Sequence, residues 1–263
     1  MGGSGSGPGE LSLPLSISCL SDGRIFVLDP MDNGYEIFDG SDYSFIEKVA
    51  LWSNNPPMDP CGLDADCYLG LKFEMDQADG ILTGISTLGR FRMGEADPQL
   101  TYLRSEFPVD LSELGELVKN MLRSLAFTGD RNGRVFFSEI FHITADISAV
   151  PRSAEEMEEE KAYMENWVSR MGGMSGMPIE WEPEPFRWMI EELGVDGQDR
   201  LWIRRGTELM PVFDVFDMTG AHLFSARFPM EGFGWRFHIG PLGMLAWDEH
   251  PESGVQKVYM IRL

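Results

Sequence analysis

The stretch Asp22-Gly23-Arg24-Ile25-Phe26-Val27-Leu28-Asp29 couples a turn signal to an unbroken apolar run. Asp-Gly supplies the positive backbone angles of a two-residue reversal, and a run with no polar alternation suits a strand covered on both faces. The same unit recurs along the chain. Asp79-Gly80 precedes Ile81-Leu82-Thr83-Gly84-Ile85, and Asn132-Gly133 precedes Arg134-Val135-Phe136-Phe137. Gln198-Asp199 precedes Arg200-Leu201-Trp202-Ile203, just after Asp196-Gly197, and Gly240-Pro241 precedes Leu242-Gly243-Met244-Leu245-Ala246-Trp247. The turns near residues 23, 80, 133, 199 and 240 predict equivalent hairpins in successive units. A strand–turn–strand repeat of roughly 40 to 50 residues marks a β-propeller. The expected fold is therefore all-β, one propeller domain over residues 1–263 with five visible blades.

Further strands complete the units. Tyr35-Glu36-Ile37-Phe38 and Phe45-Ile46-Glu47-Lys48-Val49 belong to the first, and Pro211-Val212-Phe213-Asp214-Val215-Phe216 and His222-Leu223-Phe224-Ser225-Ala226-Arg227-Phe228 to the fourth. Val255 to Arg262 reads as a last strand. Two segments depart from this pattern. Asp110-Leu111-Ser112-Glu113 carries capping-box spacing ahead of Leu114, Val118, Met121, Leu122 and Leu125 at helical intervals. Ser153-Ala154-Glu155-Glu156 repeats that start and predicts a charged helix to about Arg170. The stretch 152–185 as a whole is expected to be an insertion, a helix followed by a loop rich in Met, Gly and Pro.

Composition narrows the partners. The 263 residues include 43 acidic and 21 basic side chains, a formal net charge of −22. Such a charge repels phosphate backbones and anionic headgroups, which argues against nucleic acid as a partner. Lysine is confined to Lys48, Lys72, Lys119, Lys161 and Lys257, so arginine dominates the basic residues; an acidic, lysine-poor surface fits salty surroundings or an acidic secreted domain. No apolar run approaches the 18 residues of a membrane span. The opening Met1 to Gly9 lacks the basic and apolar regions of an export signal.

The chain resembles a bacterial six-bladed β-propeller family of the NHL and TolB-like form. The resemblance rests on Gly7-Pro8-Gly9-Glu10-Leu11 and Pro14 leading into Asp22 to Asp29, on Val195-Asp196-Gly197 with Arg200-Leu201-Trp202-Ile203, and on Val215-Phe216-Asp217-Met218-Thr219-Gly220. It implies a six-bladed ring in a full protein of which this chain lacks an upstream blade and export signal, or else a ring of five. The glycine-rich start also fits a flexible linker. Proteins of this kind are secreted or lipid-anchored, which implies the periplasm or cell surface if a signal was lost upstream and the cytoplasm otherwise. The function implied is non-enzymatic binding or scaffolding, with an unknown protein or small-molecule ligand at the propeller face. The alternative is a lactonase, lyase or glycan-processing enzyme that uses the channel mouth.

Chemistry-bearing motifs are sparse. Neither a Gly-x-Ser-x-Gly elbow nor a phosphate-binding loop ending in Gly-Lys-Ser/Thr occurs, so no catalytic residue is assigned and no cofactor is expected. His142, His222, His238 and His250 lie apart, and His142 and His238 fall inside apolar strand patterns, as structural histidines do. Met171, Met174 and Met177, with Met164 nearby, form a candidate Cu(I) site of soft thioethers, set against a plainer role as adaptable apolar cover in a chain holding 17 methionines. Cys61 and Cys67 are a disulfide candidate in an oxidising compartment and two packing thiols in a reducing one. The acid runs at Glu155 to Glu160 and at Glu180, Glu182 and Glu184 lack the alternation around a glycine of a calcium loop and read as solvated faces.

Overall fold

The computed structural model describes residues 3–5, 7–12, 14, 16–29, 34–50, 56–110, 126–130, 134–138, 150–170, 181–187, 189–206, 208, 210–229, 235–248 and 258–263. Two short parallel strands, β1 (Gly3–Ser4) and β2 (Glu10–Leu11), precede the main body. The first sheet is a four-stranded antiparallel meander of β3 (Ser16–Cys19), β4 (Arg24–Asp29), β5 (Gly34–Asp39) and β6 (Phe45–Ala50). The second repeats it with β7 (Met58–Gly62), β8 (Cys67–Ala78), β9 (Ile81–Arg92) and β10 (Leu100–Pro108). In the third, β11 (Ala126–Gly129) pairs with β12 (Val135–Ser138), and helix α1 (Ala154–Arg170) follows. The fourth sheet holds β13 (Ile190–Val195), β14 (Leu201–Arg205), β15 (Val212–Phe216) and β16 (His222–Arg227). The fifth holds β17 (Trp235–Gly240), β18 (Gly243–Asp248) and β19 (Val258–Ile261).

The first strands of these sheets neighbour one another in cyclic order. β3 lies against β7, β7 against β11, β11 against β13, β13 against β17, and β17 against β3. This is a propeller arrangement, and it explains the apolar runs. The first, second and fifth sheets bury both faces, one against the sheet before and one against the sheet after in the cyclic order. Leu20, Phe26, Leu28, Tyr35 and Ile37 of the first sheet meet Tyr68 and Phe91 of the second, while Ile25, Val27 and Phe38 on the opposite face meet Leu245 of the fifth. Cys61, Leu69 and Leu88 of the second sheet pack on Phe127 of the third, and Trp202, Phe213 and Val215 of the fourth pack on Phe237, Ile239 and Met244 of the fifth. The outermost strands β6, β10 and β16 are mostly exposed.

One sequence expectation needs correcting. The turn at Asp79-Gly80 joins β8 to β9, the second and third strands of their sheet; the counterpart of the other four turns is Asp64-Ala65-Asp66, between β7 and β8. Asp79 and Gly80 both take positive φ, 53° and 79°, as a two-residue primed hairpin demands. Any antiparallel pair can be joined that way, so Asp-Gly announces a hairpin without giving its rank in the sheet.

Helix α1 starts as its sequence requires. Ser153 N–H donates to Glu156 Oε2 at 2.8 Å and Glu156 N–H to Ser153 Oγ at 3.2 Å, the reciprocal capping box. Arg187 then grips Glu156 with two hydrogen bonds of 2.7 and 2.9 Å, and with the cap they hold its carboxyl down to about 2. Arg152 pairs with Glu160, which also accepts from Trp181 Nε1, so α1 is tied to the returning segment 181–187. Residues 111–125, expected to be helical, lie outside the described residues.

Candidate functional site: the inner edge of the ring

A strand at the centre of a propeller pairs on one side only, so every second N–H on its free edge points toward the axis and needs an acceptor. Just past β3, Leu20 N–H donates to Arg24 O on the β4 side, which turns the Cys19 N–H inward. It meets His238 Nε2 at 3.3 Å, reaching across from β17. Ser18 Oγ lies 3.0 Å from the same nitrogen and accepts the Gly62 N–H of β7 at 2.9 Å. Cys61 on β7 accepts from the Gly129 N–H of β11 and lies 3.7 Å from Thr128 Oγ1. Glu192 on β13 accepts the Phe237 N–H of β17 at 2.9 Å. The free edges of β3, β7, β11 and β17 are thus capped in relay, each by a side chain of the neighbouring first strand.

The electrostatics follow from enclosure. His238 Nε2 faces two donors and is therefore the acceptor of a neutral imidazole, and burial lowers its pKa to about 4. Burial raises the pKa of Glu192, opposed by Arg204, the Phe237 N–H and Arg236. Arg204 reaches Glu191 at 2.9 Å, Glu192 at 3.3 Å and Trp235 O at 2.9 Å, with its guanidinium 5.0 Å over the Phe237 ring. Burial, with a smaller contribution from Cys61, pushes the Cys19 thiol up to about 12, which makes it a packing group and not a nucleophile. His238 and Glu192 are largely surrounded by protein yet keep some accessible area, 15% for the Glu192 side chain.

Other candidates fall elsewhere. Met171, Met174 and Met177 lie outside the described residues, as do His142 and His250; Met164 is buried on α1. Cys61 and Cys67 carry separate free thiols in this structure. The register sets Cys61 opposite Leu69, so Cys67 lies beyond the pairing position, with its sulfur directed at Asp66 and Gln99 while that of Cys61 meets Thr128. Asp64, Asp66 and Cys67 converge closely enough to suggest a cation, but Arg90 pairs with Asp64 at 2.7 Å and Arg92 with Asp66 at 2.8 Å and already neutralise the carboxylates.

Much of the acid on this side of the ring is turn chemistry. Asp22, Asp39, Asp42, Asp64, Asp130, Asp196 and Asp217 each accept a backbone N–H two to four residues ahead. Asp130 and Asp196 also bind the Arg four residues on, Arg134 and Arg200. Burial opposes ionisation of Asp196, but the Trp202 Nε1–H and the Arg200 and Gln198 N–H groups outweigh it and its pKa falls.

Ser18 and Glu192 were not singled out from the sequence. Their partners are far away in the chain, 220 residues for Ser18 with His238 and 45 for Glu192 with Phe237, and no local motif encodes such pairings.

No family model matches the sequence, and no curated protein is similar to it. Among solved structures, a streptogramin B lyase is similar at 12% identity and a TM-score of 0.32, over 95% of this chain and 71% of the lyase. The propeller assignment rests on the sheets themselves. No described helix is long and apolar enough to cross a membrane.

Proposed function

We propose that this chain is a non-catalytic binding propeller of the cell envelope, whose five sheets close one ring and which takes a protein or small-molecule ligand at the propeller face. The state of the Ser18–His238 pair carries this reading. At 3.0 Å it has the spacing of a nucleophile and its base. Yet Ser18 is fully buried, accepts the Gly62 N–H and gives its own proton to a nitrogen that also holds the Cys19 N–H. A nucleophile must face substrate, and this hydroxyl is buried where it joins three strands. Closure by five sheets is supported by β17 reaching β3 directly. The envelope location is supported by the resemblance to exported propellers.

The enzymatic alternative, a lactonase, lyase or glycan-processing activity, draws on Glu192, since an enclosed carboxyl with raised proton affinity is a group catalysis uses. Both its oxygens are already engaged, by the Phe237 N–H and by Arg204. Treating the folded protein with a fluorophosphonate, which labels activated serines, tests the Ser18–His238 observation on which the binding reading rests. The expected result is no adduct on Ser18 by mass spectrometry. An adduct on Ser18 that disappears in the His238→Gln variant would make the pair catalytic and overturn the binding reading.

A further inference from the structure

We propose that His238 is an acid-sensitive clasp between the last sheet and the first, and that protonation of its ring releases β17 from β3. The geometry sets the direction of the effect. The neutral ring offers one acceptor, Nε2, and the seam spends it on two donors of β3, the Ser18 hydroxyl and the Cys19 N–H. An imidazolium has no acceptor. The Ser18 hydroxyl can rotate and accept from the new Nε2–H, but its proton then needs another partner. The Cys19 N–H cannot rotate, because the β3–β4 ladder fixes it, so it would be left buried against a cation. An orphaned buried N–H and a desolvated charge at one point both favour separation of the strands.

A Cβ at Gly240 would stand 3.2 Å from Nε2, so the β17 backbone at Gly240 runs close beside the imidazole. The titratable and charged side chains on the elements around it are Cys19 on β3, Asp59 and Cys61 on β7, Glu191 and Glu192 on β13, and Arg236 on β17; among described side chains, β18 contributes none. Glu192 has its oxygens engaged by Arg204 and the Phe237 N–H, and burial is what lowers the proton affinity of His238.

The pH window follows from linkage. An unfolded histidine takes up its proton near 6.5 and this one at about 4, so on acidification the unfolded chain binds the proton first. The clasp contributes in full above pH 6.5 and loses its contribution as pH falls from 6.5 to 4. The change in the unfolding constant over that span is at most about 300-fold, one decade for each pH unit of difference.

The test compares the full chain with a His238→Gln variant, whose amide oxygen can accept from β3 at any pH. Urea unfolding of both proteins at pH 7 and at pH 4.5 cancels the carboxylates they share. The wild type should lose stability relative to the variant on acidification, by tens of fold in the unfolding constant, and protection of the Cys19 amide against hydrogen exchange should fall in the wild type alone. Equal losses in the two proteins would overturn the clasp. Should the variant not fold, an NMR titration of the wild-type His238 ring decides: a midpoint near 4 supports the proposal, and one between 6 and 7 overturns it.

Discussion

The first sheet meets its two neighbours in different ways. Toward the second sheet it presents an aromatic seam, where Phe26, Tyr35, Tyr68 and Phe91 pack with centroid separations of 5.4 to 5.8 Å. Within that aromatic cluster the polar atoms are the two tyrosine hydroxyls, which satisfy each other at 2.5 Å, and burial raises both their pKa values. Toward the fifth sheet it presents Ile17, Cys19, Ile25 and Val27, and closes the seam with the imidazole of His238. The two seams solve one problem, how to bury polar atoms between sheets, with groups of different titration range. Neutral tyrosines keep their bond throughout the acid and neutral range. A histidine keeps its own only while unprotonated. The proposed clasp thus makes the seam between the fifth and first sheets the acid-sensitive one, while the aromatic cluster between the first two sheets holds through acid.

Substitutions can break this contrast. Tyr68→Ala should have the largest effect, about 3–5 kcal/mol, because it removes a fully buried ring from between Phe26 and Phe91 and strands the Tyr35 hydroxyl. Chemical denaturation at pH 7 and pH 4.5 should show nearly the same loss at both. Ser18→Ala should cost less, about 1–3 kcal/mol, since it removes little volume but leaves the Gly62 N–H without its acceptor. A loss from Ser18→Ala as large as that from Tyr68→Ala would mean the polar seam, not the aromatic one, dominates the stability of the first sheet.

The sequence showed these regions unequally. The strands of the first, fourth and fifth sheets stood out because apolar runs behind turn residues are local signals, and β4, β14 and β18 lie where those runs predict. The capping box at Ser153 was legible for the same reason. The role of Asp79-Gly80 was not, since hairpin chemistry is identical between any two antiparallel strands and the second sheet's own inner turn, at Asp64 and Asp66, carries no glycine. The structural role of His238 could be anticipated from its apolar surroundings, but its partners could not. Ser18 sits in Ile17-Ser18-Cys19 with nothing to mark it, and becomes central only when a strand from the far end of the chain is laid beside it. The contact of β17 with β3 joins strands far apart in the sequence, and periodicity within each unit does not report it.

The central claim, that the fifth sheet lies directly against the first, is tested most directly by a disulfide across their seam. A Cβ built on Gly240 stands 3.7 Å from the Cβ of Cys19, within the roughly 3.5–4.5 Å that a disulfide spans. The same atom stands 3.2 Å from His238 Nε2, so the ring must yield by a few tenths of an ångström, which a side chain can do. The Gly240→Cys variant, refolded under mild oxidation and mapped by mass spectrometry, should therefore link residues 19 and 240 within one chain. A folded variant in which the thiol at 240 stays free, or joins a second molecule while Cys19 stays reduced, would contradict the closed ring.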